Sequence, residues 1–283
     1  MKLVRHGVPG QERPGIIDAN GRIRDLRGVC DDFGPAFFGG DGVAKLRDVD
    51  LARLPEVKAG TRLGPCVAQP GNFIAIGLNY VQHARETNAP IPADPILFNK
   101  APSCICGPND VVRLPKDSRK TDWEVELALV IGRPALYVDE RDALSYVAGY
   151  FICNDISERE FQLEKSGQWV KGKMFPTFGP LGPWLVTPDE IPDVQNLRLW
   201  LELNGKRIQD SSTSDMIFSV ARLVADTSRY VQLQPGDIIT TGTPPGVGLG
   251  MKPPKYLVPG DVMRLGIDGL GVQEQRVQRF GEQ

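Results

Sequence analysis

The segment Thr121-Asp122-Trp123-Glu124-Val125-Glu126-Leu127-Ala128-Leu129-Val130 alternates acidic with apolar residues at a period of two. Only an extended strand gives that pattern two consistent faces. Trp123, Val125, Leu127 and Leu129 then share one face, and Asp122, Glu124 and Glu126 the other. Carboxylates two positions apart on a strand lie about 7 Å from each other. In a partly buried strand, like charges at that spacing call for a cation between them, and an all-oxygen ligand set selects a hard ion such as Mg²⁺, Mn²⁺ or Ca²⁺. Taken alone, the pattern fits a solvated acidic face on an antiparallel strand more often than a metal site.

The rest of the chain reads as a strand-rich body around this segment. Strands are expected at 73–78, 96–99, 123–131, 149–154, 197–203, 237–241 and 262–267, with hairpin turns at Asn20-Gly21, Asn204-Gly205 and Asp268-Gly269. Helices are expected at 80–86, 140–147, 157–165 and 215–230, the last with Met216, Ile217, Val220, Leu223 and Val224 at helical spacing. Strands outnumber helices and do not alternate regularly with them. The expected class is therefore α+β and β-rich, a twisted roll or sandwich with attached helices, and not a doubly wound sheet. A break over 60–71 precedes longer apolar runs, which divides the chain into a small N-terminal α+β domain (1–68) and a large β-roll domain (69–283).

Charge and cysteine usage exclude several partner classes. The 33 Lys+Arg nearly balance 35 Asp+Glu over 283 residues, and no basic stripe exists to release counterions from phosphates, so no nucleic-acid partner is expected. Apolar runs are far shorter than a bilayer span and the first residues lack a signal-peptide core, so neither a membrane partner nor processing is expected. Five cysteines at irregular spacing suit a reducing cytoplasm better than a disulfide framework.

Five further segments bear on chemistry. Asn154-Asp155 closes an apolar run and can add a third carboxylate; taken alone it fits helix capping by Asp155 or Ser157 better, and only the combination with Glu124 and Glu126 raises the ligand reading. The chain has two histidines, His6 and His83. A helix would place His83 beside Glu86 at i, i+3, an arrangement suited to a general base but also to an exposed ion pair. Lys171 and Lys173 stand near aromatic residues, where a lysine can hold an oxyanion, with surface solvation as the default. The glycine-rich run 240–250 lacks Gly-Lys-Ser/Thr and does not enter a helix, which argues against a nucleotide loop and leaves a tight turn offering N–H groups to a small anion. Cys104-Ile105-Cys106 has no second pair at zinc spacing, and Gly-x-Ser-x-Gly is absent.

As an ordered set these segments resemble the fumarylacetoacetate hydrolase family. The matching stretches are Ile76-Gly77-Leu78-Asn79-Tyr80 with His83 and Glu86, 95–100, 122–127, Asn154-Asp155-Ile156-Ser157, Lys173-Met174-Phe175, 178–184, and Gly236-Asp237 with 241–248. The resemblance implies a mixed β-sandwich roll, a homodimer, and a divalent metal, Mg²⁺ first, on Glu124, Glu126 and Asp155. It implies that His83 and Glu86 activate water, that Lys173 stabilises developing negative charge, and that Tyr80, Gln162 and Thr243 bind substrate. Pro176 stands where many relatives carry Asp. The N-terminal part looks like that of bacterial members acting on sugar-acid breakdown products, which implies a small-molecule 2-oxo acid substrate. The implied reaction is hydrolysis of a 2,4-diketo-3-deoxy sugar acid to pyruvate and a hydroxy acid. Oxaloacetate decarboxylation, isomerisation of an unsaturated dioxo acid, and non-catalytic binding of a small acid remain as alternatives.

Overall fold

The strand Val125–Ile131 lies inside the largest of three sheets, antiparallel to Val147–Asn154 on one side and to Ile238–Thr240 on the other. All seven of its residues are buried, so the acidic face points into protein and the solvated reading is overturned. The computed structural model describes residues 1–282. Its largest sheet runs in the order Ile23–Asp25, Arg13–Ile17, Lys2–His6, Gly179–Val186, Val147–Asn154, Val125–Ile131, Ile238–Thr240, Phe73–Gly77, Ile96–Lys100. Neighbours along this path are antiparallel except Ile238–Thr240 with Phe73–Gly77.

A second sheet, in the order Lys206–Ser212, Arg198–Leu203, Val262–Ile267, Gly271–Arg279, Val112–Leu114, packs across strands of the first. Its residues Leu199, Leu201, Leu203, Met263 and Leu265 are buried, as are Leu127 and Leu129 of the first sheet. The turn at Asn204-Gly205 has positive φ at both residues, +52° and +78°, the backbone that twists in register with a two-residue hairpin. The chain is thus α+β with mixed sheets.

The N-terminal strands continue the body's sheet: Lys2 pairs with Val186 and Leu3 with Leu185. Asn20-Gly21 lies in the turn that brings Ile17 opposite Ile23. The boundary at residue 68 is kept as a proposed folding division within a continuous sheet. Among the described residues no helix is long and apolar enough to cross a membrane.

Three expected helices are shorter or of another kind. The 140–147 helix is a 3₁₀ segment, Glu140–Tyr146. In 157–165, Ser157–Glu158 pairs as a strand with Thr121–Asp122, and only Glu160–Glu164 winds, as a π-helical turn. In 215–230 the α-helix covers Val220–Thr227, with the Ser219 side chain capping it by accepting from the Arg222 N–H.

His6, the last residue of the strand Lys2–His6 and paired with both Arg13 and Leu63, is buried, and its Nε2 has no hydrogen-bond partner among the described residues. Burial lowers its pKa below 6.5, against the opposing charge of Asp25 and with help from Arg27 and Arg13. A folded-state value below the unfolded one means the fold favours the neutral ring. The stability this adds is complete above the unfolded pKa and is lost as pH falls through it. Melting temperature should therefore decline on acidification below about pH 6.5, with a shallower decline in His6→Phe; equal slopes in both proteins would exclude His6 as a cause.

Candidate active site

Glu124 and Asp155 converge because the ladder between their strands breaks where they stand. Val125 pairs with Asn154 and Asp122 with Ser157, while Trp123-Glu124 and Asp155-Ile156 between them leave regular pairing. Cross-links hold the break open in a defined shape: the Asp155 N–H donates to the Glu124 carbonyl at 2.9 Å and the Glu124 N–H to the Asn154 side chain at 3.1 Å. Glu126 comes from the next inward position. One oxygen from each of Glu124, Glu126 and Asp155 lies within 4.8 Å of the others, and all three residues are buried.

Buried cations surround two members of this cluster and leave the third. The Lys173 Nζ donates to Glu124 Oε2 and to Asp155 Oδ2, both at 2.7 Å. The Lys100 Nζ, fully buried, donates at 2.6 Å to Asp155 Oδ1 and to the Lys173 carbonyl. Arg159 Nη2 stands 2.6 Å from Glu124 Oε1, and its Nε donates to Asp122 at 2.9 Å. Burial would raise the Glu124 carboxyl, but Lys173 and Arg159 outweigh it and hold the group below its ordinary value. Glu126 has no such ion pair among the described residues and accepts from the Gly242 N–H at 3.0 Å. Burial, then the charges of Asp155 and Glu124, push its carboxyl well above the usual range. A carboxylate facing two like charges in an all-oxygen cluster is what a hard divalent cation would satisfy, so the donor set fits such an ion.

The histidine–carboxylate pair is formed as the spacing requires. On the helix Val81–Glu86, His83 Nδ1 lies 2.8 Å from Glu86 Oε1. Glu86 is fixed in turn by the Gly246 N–H, at 2.9 Å to Oε2. The glycine-rich run thus does offer N–H groups to anions, but these are the protein's own carboxylates: Gly242 serves Glu126, Gly246 serves Glu86, and Gly248 with Leu249 serves Asp122. Glycine is needed for that approach. At Gly246, with φ of +105°, a Cβ would stand 1.9 Å from the Ile208 carbonyl oxygen. Gly246→Ala is expected to destabilise the protein by about 1–3 kcal/mol through overpacking and to lower turnover by loosening Glu86. Thermal melting and kcat check this; a variant unchanged in both would show that the loop yields without cost.

A cavity of about 180 Å³ brings these groups to solvent, lined by His83, Glu124, Glu126, Arg159, Lys173 and Gln162 among others. Leu78 in its wall has φ of +51°, a left-handed conformation rare for such a residue. Neighbouring Asn79 stabilises the turn, its amide donating to the Thr241 and Phe218 carbonyls and accepting from the Phe218 N–H. Residues 72–278 match the family described as fumarylacetoacetate (FAA) hydrolase C-terminal. The chain belongs to the fumarylacetoacetate hydrolase family.

Other members are similar over nearly their whole length. A protein of Burkholderia multivorans, whose name goes no further than hydrolase, is 58% identical over 276 residues, covering 97% of this chain and 98% of its own. Among solved structures, fumarylacetoacetate hydrolase from Exiguobacterium antarcticum is 35% identical with a TM-score of 0.87, covering 99% of both chains. Maleylpyruvate hydrolase from Sphingobium sp. SYK-6 is 30% identical with a TM-score of 0.82, covering 99% of this chain and 100% of its own. The 5-carboxymethyl-2-hydroxymuconate delta-isomerase from Mycobacterium smegmatis is 32% identical with a TM-score of 0.77, covering 100% of both.

Within this family member, the residues expected from sequence are placed unequally. Gln162 and Thr243 line the cavity, although the Thr243 hydroxyl already donates to the Val125 carbonyl. Glu86 stands behind His83 and Asp155 behind the cavity floor. Tyr80 does not line the cavity: its backbone bridges to Met216, and it faces a separate hollow with Met216 and Pro245. Asp122, grouped from sequence with Glu124 and Glu126 on the acidic face, is not among the three converging carboxylates and pairs instead with Arg159. Lys100 and Arg159 were not singled out from sequence as parts of the site. Each sits beside a residue that was, but nothing in the local pattern distinguishes Lys100 from a solvated strand end or Arg159 from the first turn of a helix.

Proposed function

We propose that this chain is an acylpyruvate hydrolase, cleaving a carbon–carbon bond of a 2,4-dioxo acid in the presence of a divalent cation, Mg²⁺ first among candidates. The observation that carries the reading is that His83 and the carboxylates Glu124 and Glu126 line one cavity. A cation held by Glu124, Glu126 and Asp155 would supply Lewis-acid polarisation to the adjacent carboxylate and carbonyl oxygens of a 2-oxo acid. With Glu86 accepting from Nδ1–H, the His83 Nε2 is left as the basic nitrogen, able to take a proton from water. The resulting hydroxide adds to C4 and the C3–C4 bond breaks. Its electron pair goes to the C2–C3 enolate of pyruvate, and the acyl fragment leaves as a carboxylic acid; the enolate then takes at C3 the proton that His83 holds, which gives pyruvate and restores the base. The Lys173 ammonium, at the cavity floor, places positive charge where the enolate forms. Arg159 acts through Glu124, fixing its carboxylate on the side away from Lys173.

The polyhydroxylated tail implied by the resemblance is not part of this proposal, because the walls away from these groups are apolar. Likeness to the isomerase supports a second reading, rearrangement of an unsaturated dioxo acid on the same groups. Purified protein with Mg²⁺, acylpyruvates and product analysis separates the two. One pyruvate and one carboxylic acid per substrate, abolished by chelation, is the expected result. A product that keeps every carbon would establish the isomerase reading, and release of CO₂ from oxaloacetate as the faster reaction would establish decarboxylation.

A further inference from the structure

The acyl side of the substrate remains to be assigned, and the cavity walls bear on it. Away from the charged floor the cavity is lined by Ile76, Leu78, Phe98, Leu163, Trp169 and Leu249. Phe98 and Trp169 meet edge to face, ring centroids 5.5 Å apart. Trp169 takes its place only because residue 77 is glycine, where a Cβ would lie 2.3 Å from the indole ring. Leu163 is 44% exposed, and Phe98, Trp169 and Leu249 are half-buried, so the protein leaves apolar area uncovered at the mouth of its own site.

The polar side chains of the wall are already engaged. The Thr87 hydroxyl donates to the His83 carbonyl at 2.9 Å, and the Thr243 hydroxyl donates to Val125 and accepts from Gln209. Lys173 and Arg159 are the only lysine and arginine in the lining, and both are bound to the carboxylate cluster. The Gln162 carbonyl accepts from Arg159, which leaves its amide nitrogen, with the His83 Nε2, for polar contact beside the floor. A hydroxylated tail would lose water without gaining partners at the apolar walls, and a carboxylate tail would find no free cation.

We propose that the group beyond C4 is an uncharged apolar chain or ring seated against Phe98, Trp169 and Leu163. This rests on the acylpyruvate reading and narrows it to alkanoyl or aroyl pyruvates. Aromatic walls favour a ring, through contact of its face or edge with Phe98 and Trp169.

The test compares kcat/KM, with Mg²⁺ present, for five acylpyruvates: acetyl, hexanoyl, benzoyl, one ending in a carboxylate and one bearing hydroxyls at matched length. One methylene in an apolar pocket changes kcat/KM by roughly 10- to 200-fold. Benzoyl and hexanoyl substrates are therefore expected to exceed acetyl by about tenfold or more, and the carboxylated and hydroxylated ones by about 100-fold. Leu163→Arg should cut the benzoyl-to-carboxylate ratio at least about tenfold, with Leu163→Gln, expected to shift it in the same direction, read instead if the first variant does not fold. Cleavage of acetylpyruvate with a preference for the hydroxylated or carboxylated tail would overturn this inference alone, as would an unchanged ratio in the folded variant. Failure to cleave any of the five would overturn the acylpyruvate reading itself.

Discussion

His83→Ala is expected to lower kcat by roughly 10²- to 10⁴-fold, the contribution typical of a positioned general base. Metal binding should change little, because His83 is not among the three converging carboxylates and reaches them only across the cavity. The partner variant sharpens the test. Glu86→Gln keeps an acceptor for the Gly246 N–H but removes the negative charge beside His83 Nδ1. The imidazole then loses the charge that raises its basicity, so kcat should fall by no more than in His83→Ala. Since Glu86 acts through the ring, the double variant should resemble His83→Ala, with losses that do not add. Losses that multiply independently would argue against a coupled pair, and an unaltered kcat in His83→Ala would remove the base from the mechanism.

What the sequence made legible follows from how far each interaction reaches. The acidic strand and the His83–Glu86 pair are local, set by periods of two and of three to four residues; the pair forms as the spacing requires, while the strand runs only from Val125 to Ile131, with Trp123-Glu124 at the ladder break. Helix ends were misjudged where distant groups compete for the backbone. Met216 and Ile217 fit the apolar face of a continuous helix, yet the Ile217 N–H donates to the Asn79 carbonyl and the Phe218 N–H to the Asn79 side chain, which keeps 216–218 out of the helix, as a bridge followed by a bend. Ser157 fits a helix start but pairs with Asp122. The strand Gly179–Val186 carries two glycines and two prolines, a turn composition by any local rule. It is nevertheless built into the sheet, with Gly149 opposite leaving room for Leu185. The same logic governs the site. Lys100 and Arg159 reach their carboxylates across 55 and 37 positions, through a ladder break that no residue pattern announces. Only the ordered set of family segments tied Asp155 to Glu124 and Glu126.

The sharpest separation between a metal cluster and a merely structural one lies in Glu126. Glu124 is held by Arg159 and Lys173, so Glu124→Gln would strand buried cations, at a cost of roughly 3–5 kcal/mol typical of breaking such a pair. Glu126 has no ion pair of that kind among the described residues, and its charge faces those of Glu124 and Asp155. In Glu126→Gln the amide oxygen still accepts from Gly242, and a neutral group replaces one whose charged form burial and the neighbouring carboxylates disfavour. The metal-free variant is therefore expected to melt no lower than the parent. Mg²⁺ should behave in the opposite sense. The parent should gain stability on adding the ion, about 2.7 kcal/mol at 100 times the dissociation constant, and the variant should lose most of that gain. Losing a group that only supports a ligand costs 10- to 100-fold in affinity, so losing a ligand should cost about 100-fold or more. Melting curves with and without Mg²⁺, read beside direct titration of the ion, measure both effects without reference to turnover. A Glu126→Gln protein that melts far below the parent without metal, yet shifts normally with Mg²⁺, would make Glu126 a structural group and leave the cation to other ligands.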